Sequence, residues 1–466
     1  MNISTIFQRL GILICLIGAY GIGAQAQSLT YKPLLQDGKV WYERCVHYFI
    51  GTSASKVWVD GDSVVDGVNY KKLYSNPNQP ELFGEENSKV FSLRNAAWCN
   101  GILYDFSLGE CDTTVVNGSY LLNVNTVDTI KVDGEAYRRL GIGCFSNDPE
   151  AFDFYPGTFL DNTCEFWVEG IGSNVGFDPT PAFCWTTSSY MIFDSCKVDD
   201  KLLFVYNDFW RVPNSERQWV HSSYKQIENV NTHEPYWIND GKETYAAIGS
   251  AELNGRTYQK VYDCTESRCA GNDADKRYKY LFAMRNEDGR VLADAESYAA
   301  AYPKAVTEYP QNDEGEFVLY DYNAHVGDAY LGRADITVEQ EGDTTLADGR
   351  PRRVLVLSTG HRLVEGVGCV NAGGAPFAYL CHPAYTSPVD YVTLLETYYD
   401  AEGHRVYMAT LEQLCEKLLA GVKPVVSQST NHLDASAVYD LQGRRVDGRS
   451  LPKGIYIQGG RKFVVK

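Results

Sequence analysis

Two short stretches carry the densest chemistry in the chain: Glu169-Gly170-Ile171-Gly172 and Glu365-Gly366-Val367-Gly368. Glycines at this spacing let backbone N–H groups approach a ligand, and a carboxylate beside them could act as a base. No His, Ser or second acid stands close in sequence to complete a mechanism, however, and a strand that ends in a turn needs the same glycines. The structural reading is favoured, with Glu169 and Glu365 kept as binding candidates. Arg138 and Arg353, each beside another arginine (Arg139 and Arg352), could hold an anion. Solvated strand residues are the favoured reading on a protein of net charge −18.

The cysteines invite two readings. Cys264-x4-Cys269, and Cys369 with Cys381-His382, could suggest metal. Zinc sites usually show two close Cys/His pairs, and no second close pair appears. Disulfides are favoured, and neither metal nor cofactor is expected. Spacing suggests Cys99–Cys111, Cys184–Cys196, Cys264–Cys269 and Cys369–Cys381, leaving Cys144–Cys164 and Cys45–Cys415, with the connectivity open. The eight His are scattered. None joins a Gly-x-Ser-x-Gly elbow, a His-Glu-x-x-His helix or a papain-like Cys signature. No catalytic residue is assigned. Acid pairs of glycoside hydrolysis stay open, because their members can lie far apart in sequence.

The elements that must position these residues come as a duplication. Gly67-Val68-Asn69-Tyr70-Lys71-Lys72-Leu73-Tyr74 matches Gly255 to Tyr262, and Phe91 to Asn95 matches Phe282 to Asn286. Leu103-Tyr104-Asp105-Phe106 matches Leu319-Tyr320-Asp321-Tyr322. Asp128-Thr129, Gly134 and Arg138 fall on Asp343-Thr344, Gly349 and Arg353. Trp167 to Gly172 matches Leu363 to Gly368. The order is kept while the offset drifts, as loop insertions produce. The copies are placed at 36–207 and 228–408. Asp66-Gly67, Asn254-Gly255, Asp133-Gly134 and Asp348-Gly349 are tight-turn signals between strand-like runs, so each copy is expected to be a mainly β, antiparallel module. It should close as a sandwich or a partial barrel to shelter its edges. Between the copies, 208–229 reads as a linker that partly packs. Leu411, Leu414, Cys415, Leu418 and Leu419 mark a short amphipathic helix at 409–421, and 422–436 is a flexible linker.

The ends speak to compartment. Arg9, the apolar run Leu10 to Tyr20 and Ala24-Gln25-Ala26 form a signal peptide over 1–26. A lipoprotein signal at Cys15 is disfavoured by Ile14. One of the 13 cysteines lies in this leader, and an even number remains for an oxidising space. The acidic balance argues against nucleic acid and anionic membranes as partners. No further stretch is long and apolar enough to span a membrane. The 33 tyrosines suit pleated, half-buried surfaces.

The last residues carry a resemblance. Val438-Tyr439-Asp440-Leu441-Gln442-Gly443-Arg444-Arg445-Val446, then Leu451 to Ile457, then Gly460 to Lys466 resemble the type A C-terminal sorting domain of the Bacteroidetes type IX secretion system. On physics alone, 437–466 is a small β unit of three or four strands, marginal without support. The resemblance implies export, with the type IX machinery as a partner and a secreted or cell-surface destination. The succession Tyr70–Tyr74, Leu103–Phe106, Asp128-Thr129, Trp167–Ser173 also resembles uncharacterised secreted Bacteroidetes repeat proteins, which bring no activity. The favoured reading is a non-enzymatic binding, adhesion or structural protein with a glycan or host protein as ligand. The alternative is an extracellular hydrolase acting on glycan or peptide.

Overall fold

Asp66 and Gly67 both hold positive φ, 51° and 80°, while Val65 pairs with Val68 across them. Asn254 and Gly255 do the same at 52° and 74°, between Leu253 and Arg256. This is the backbone of two-residue hairpin turns whose twist matches paired strands, and Asp, Asn and Gly tolerate it best. These turns sit at one place in two copies of the same architecture. The computed structural model describes residues 30–47, 51–93, 101–116, 120–145, 165–178, 189–228, 235–265, 273–372, 376–381 and 391–409, with 438–439, 445–446, 454–458 and 461–465 near the end. The signal peptide, the 409–421 helix (beyond residue 409), the 422–436 linker, Cys99, Cys184 and Cys269 lie outside the described residues.

In the first repeat the strands are β1 (Lys39–His47), β2 (Gly51–Val65), β3 (Val68–Asn76), β4 (Gln79–Glu86), β5 (Lys89–Ser92), β6 (Ile102–Asp105), β7 (Thr113–Val116), β8 (Tyr120–Val132), β9 (Glu135–Phe145), β10 (Glu165–Val168), β11 (Gly172–Ser173), β12 (Ser189–Val198) and β13 (Lys201–Val205). They form an eight-stranded sheet, β13-β12-β1-β2-β3-β4-β5-β6, and a five-stranded sheet, β11-β10-β9-β8-β7. The second repeat continues with β14 (Arg217–Glu228), β15 (Pro235–Leu253), β16 (Arg256–Asp263), β17 (Lys279–Glu287), β18 (Arg290–Ala293), β19 (Phe317–Asp321), β20 (Val338–Thr345), β21 (Pro351–Leu357), β22 (Arg362–Val364), β23 (Gly368–Cys369), β24 (Tyr391–Tyr399) and β25 (Arg405–Met408). Its sheets run β19-β18-β17-β16-β15-β14-β24-β25 and β20-β21-β22-β23. The strand order is the same among the described residues except for β7, with β1 answering to β14 and β12 to β24. The fold is mainly β, built of curled antiparallel half-barrels.

Each pair of sheets shares one core. The first gathers Trp41, Phe83, Tyr104, Leu140, Trp167 and Phe193, and the second Trp219, Phe282, Tyr320, Leu355, Leu363 and Phe377. Full burial of such side chains contributes about 1.5–3 kcal/mol apiece before chain entropy is set against it. Between β16 and β19 the second repeat has two short helices, α1 (Ala274–Arg277) and α2 (Ala295–Ala301); the Asp294 carboxylate caps α2 by accepting from Ser297 N at 3.0 Å. No helix among the described residues is long and apolar enough to cross a membrane.

The repeats are joined through buried polar groups. Asp128 of β8 accepts from Arg139 at 2.8 and 2.9 Å and from Arg277 of α1 at 2.7 Å. The β8–β9 turn donates from Asp133 N to Gly403 O at 3.0 Å and from Gly134 N to Glu402 O at 2.9 Å. A side chain on Gly403 would overlap the Lys131 carbonyl. Phe209 of the joining segment enters the first core.

The structure corrects three expectations. The second repeat begins at Arg217, not 228, because β14 is a central strand within the stretch taken as linker. Gln218, His221, Ser222 and Ser223 are buried polar residues, so the strand lacks apolar alternation; Ser222 accepts from Lys242 of β15 and Ser223 bonds Thr393 of β24, while Gln218 turns back to Trp210 and Arg211. Phe91 does not answer to Phe282: Lys71 pairs with Phe83 and Gln259 with Met284, so β17 corresponds to β4. Neighbouring strands share one alternation, and that made the shifted match look sound. Lastly, Cys111, Cys196, Cys264 and Cys381 carry free thiols, so the expected bridges Cys99–Cys111, Cys184–Cys196, Cys264–Cys269 and Cys369–Cys381 are not made. Cys196 and Cys264 face buried apolar clusters, while Cys381 is exposed at the end of a 3-10 turn and Cys369 is buried on β23.

Leu419–Lys466 is a separate unit. It is a four-stranded sheet, β27-β26-β28-β29, of β26 (Val438–Tyr439), β27 (Arg445–Val446), β28 (Gly454–Gln458) and β29 (Arg461–Val465).

Candidate functional site

The Glu-Gly-Ile/Val-Gly stretches are turns held by tryptophan. The indole N–H of Trp41 on β1 donates to the Ile171 carbonyl at 2.7 Å, and that of Trp219 on β14 to Val367 at 2.7 Å. Gly170 and Gly366 hold φ of 77° and 75°, Gly172 and Gly368 of 103° and 110°, a region that favours glycine. Side chains at the latter two would also press on the hydroxyls of Tyr104 and Tyr320. Those hydroxyls donate onward, Tyr104 to Phe177 O at 2.6 Å and Tyr320 to Pro376 O. Phe177 and Phe377 meet the tryptophans edge to face at 4.9 and 5.1 Å. One frame is thus built twice, and it borders a cleft in each repeat.

In the first repeat the chain fills that cleft with its own Tyr31–Leu35. Glu85 on β4 accepts the N–H of Leu34 at 2.6 Å and of Leu35 at 2.9 Å, and the Tyr31 hydroxyl at 2.6 Å. Buried Lys39 donates to the carbonyls of Pro33 at 2.8 Å and Gly170 at 2.9 Å. Glu169 accepts the N–H of Lys32 at 2.7 Å, and burial holds its pKa above the usual carboxylate range. The Lys32 ammonium lies 4.0 Å over the Tyr137 ring and 3.0 Å from Glu135. Leu34 is fully buried.

In the second repeat no segment among the described residues fills the same place. A cavity of about 420 Å³ lies beside Glu365–Gly368. Arg217 stands two residues before Trp219 as Lys39 does before Trp41, and Asn286 follows Met284 as Glu85 follows Phe83. Arg350 and Arg352 stand where Glu135 and Tyr137 do, counted from the shared Asp-Gly turn and from Arg353. All of these line the cavity. Arg217 donates to the Asn286 amide oxygen at 2.9 and 3.0 Å once the amide is turned to face it. Arg290 pairs with Asp321 at 2.8 Å and Arg352 with Asp348 at 2.7 Å. Arg217 and Arg350 stand outside such ion pairs among the described residues. The stretch that precedes β14 as Tyr31–Leu35 precedes β1 is Phe209–Pro213. It goes elsewhere: Phe209 and Trp210 into the first core, Val212 against Ala246 and Tyr262.

The four candidates from the sequence divide accordingly. Arg138 donates to Leu108 O at 2.6 Å, and Arg353 to Ala324 O at 2.9 Å and Tyr322 O at 2.7 Å. Both tie down the loop after the Leu-Tyr-Asp strand, and Arg353 also pairs with Glu341 at 2.5 Å. Glu169 grips the inserted segment. Glu365, whose carboxylate accepts from Arg353 N at 3.2 Å, keeps its place on the cavity wall. Sequence reading missed Lys39, Arg217, Glu85 and Asn286. Their signal is a cation two places before a tryptophan, repeated, and it stayed hidden while β14 was read as linker.

Burial pushes Glu43 up to about 7 and Glu165 to about 8, values a general acid could use. Both are sealed inside the first repeat. Glu43 accepts from Phe177 N at 2.5 Å, and Glu165 accepts from Trp167 Nε1 at 2.7 Å and from the Ser173 hydroxyl. They brace strands rather than face a substrate. Among the described residues no group of His, Cys, Asp and Glu could hold a metal ion. The cavity offers four arginines, three carboxylates (Glu287, Asp288 and Glu365) and a floor of buried rings, which is equipment for holding a ligand.

Fold and site together define a tandem antiparallel β-repeat protein with one self-filled and one open cleft. No known family matches the chain, and no curated protein is similar to it. Among solved structures it is similar to the MucA/MucB complex of Pseudomonas aeruginosa at 10% identity, over 61% of this chain and 87% of that chain, with a TM-score of 0.15.

Proposed function

We propose that the chain is an exported, non-catalytic binding protein that presents the cleft of its second repeat to a ligand outside the cell. The open cavity beside Glu365–Gly368 carries this reading, since its twin in the first repeat already holds a chain segment through paired charges. Guanidinium groups without carboxylate partners on its wall suit recognition, and no nucleophile with an adjoining base lines it. The C-terminal unit serves as the address read by the type IX secretion machinery, a reading supported by the order of its sequence blocks.

The binding reading is tested by presenting the purified full chain to arrays of glycans and of host extracellular proteins, beside a variant whose cleft is blocked by Asn286→Trp. Retention by the first and loss by the second is expected. Turnover of a polysaccharide or peptide, with nothing retained, would overturn it. The address is tested by deleting 437–466 in a Bacteroidetes host, where retention inside the outer membrane is expected.

A further inference from the structure

We infer that the open cleft of the second repeat takes a non-helical peptide segment carrying an acidic side chain, held as Tyr31–Leu35 is held in the first repeat. The inference rests on the binding reading above and adds the ligand's chemistry. Three groups grip the segment in the first repeat: Glu169 on an N–H, Lys39 on a carbonyl, Glu85 on two further N–H groups. The second repeat keeps the first two in kind, as Glu365 and Arg217. An anion on one side and a cation on the other suit a peptide backbone, which offers donors and acceptors in alternation.

The side-chain preference follows from what changed. Lys32 of the inserted segment lies over Tyr137 and pairs with Glu135. The residues in those two places in the second repeat are Arg352, which pairs with Asp348, and Arg350, which stands outside the ion pairs among the described residues, so the place that draws a lysine has become one where Arg350 draws a carboxylate. Replacement of Glu85 by Asn286 removes another negative charge from the same wall. A glycan suits the cleft less well, because Trp219, Tyr320 and Phe377 are buried in the frame and offer no open ring face for a sugar to stack on.

The test uses two fluorescein-labelled, C-terminally amidated peptides with the sequence of residues 30–36, one as it stands and one with Lys32→Glu. Binding to the full chain is followed by fluorescence anisotropy. The first cleft being filled, a single site is expected, with the acidic peptide bound about tenfold more tightly or better, the size of one charge-assisted hydrogen bond. Arg350→Glu, a change at an exposed position, should reverse the preference. Equal binding of both peptides, no binding, or a preference unmoved by Arg350→Glu overturns the inference. If an array ligand is still retained and neither peptide displaces it, the binding protein stands and the peptide cleft falls. If nothing at all is retained and a substrate is turned over, both fall.

Discussion

Trp219 and Val367, far apart in sequence, are joined by a 2.7 Å hydrogen bond from indole to carbonyl, and Trp41 and Ile171 repeat it at the same length. Trp219→Phe keeps most of the apolar volume and removes the donor. The buried carbonyl left behind costs about 1–3 kcal/mol. Trp41→Phe should cost a similar amount, since both turns depend on the same bond. Urea denaturation of the two variants checks this. A cost at one site and none at the other would show that the frames are not equivalent.

Full burial holds His221 neutral, with its pKa lowered to about 3 from an ordinary 6.5. The unfolded chain takes up a proton below pH 6.5 that the folded chain refuses. The stability tied to this residue is therefore complete above pH 6.5 and is lost as pH falls toward 3. Between pH 6.5 and 4.5 the loss is about 2–3 kcal/mol. Denaturation midpoints of the wild type and His221→Gln at pH 7 and 4.5 measure it: the wild type should lose that much more than the variant. Parallel losses would mean that His221 is charged when folded.

Asp128 is buried between Arg139 of its own repeat and Arg277 of the other. Asp128→Ala strands two buried guanidiniums without that carboxylate, a cost of about 3–5 kcal/mol. Since the pair with Arg277 links the repeats, calorimetry should show one thermal transition separating into two. A single transition at an unchanged temperature would remove Asp128 from the joint.

The thiols sort by exposure. Cys111 and Cys381 are exposed, while Cys196 and Cys264 are buried and burial raises both thiols, Cys196 to about 12. Brief treatment of the native protein with a maleimide should label the first two, and the second two only after denaturation, as read by peptide mass spectrometry. Failure of Cys111 and Cys381 to react without a reductant would restore the disulfide framework.

What the sequence discloses follows the range of the interaction. Asp66-Gly67 and Asn254-Gly255 announce their hairpins because the required φ is a property of those residues alone. Glu169–Gly172 and Glu365–Gly368 are legible as twins for the same reason. Strand β14 was hidden because Gln218, His221, Ser222 and Ser223 read as surface residues, and they are buried only once β15 and β24 flank them. The open cleft was hidden more deeply. Glu365 and Glu169 look alike in sequence, and they differ by whether a distant segment arrives to cover them.

Phe209–Trp210 sits against the first core, and that placement has an architectural consequence. A stretch of chain that must bridge to the preceding repeat cannot also fold back as a plug for the repeat it introduces. In a head-to-tail tandem of this unit a member that follows another cannot stopper itself in this way. Duplication alone therefore vacates a socket in each later member, with no residue in the socket wall having to change.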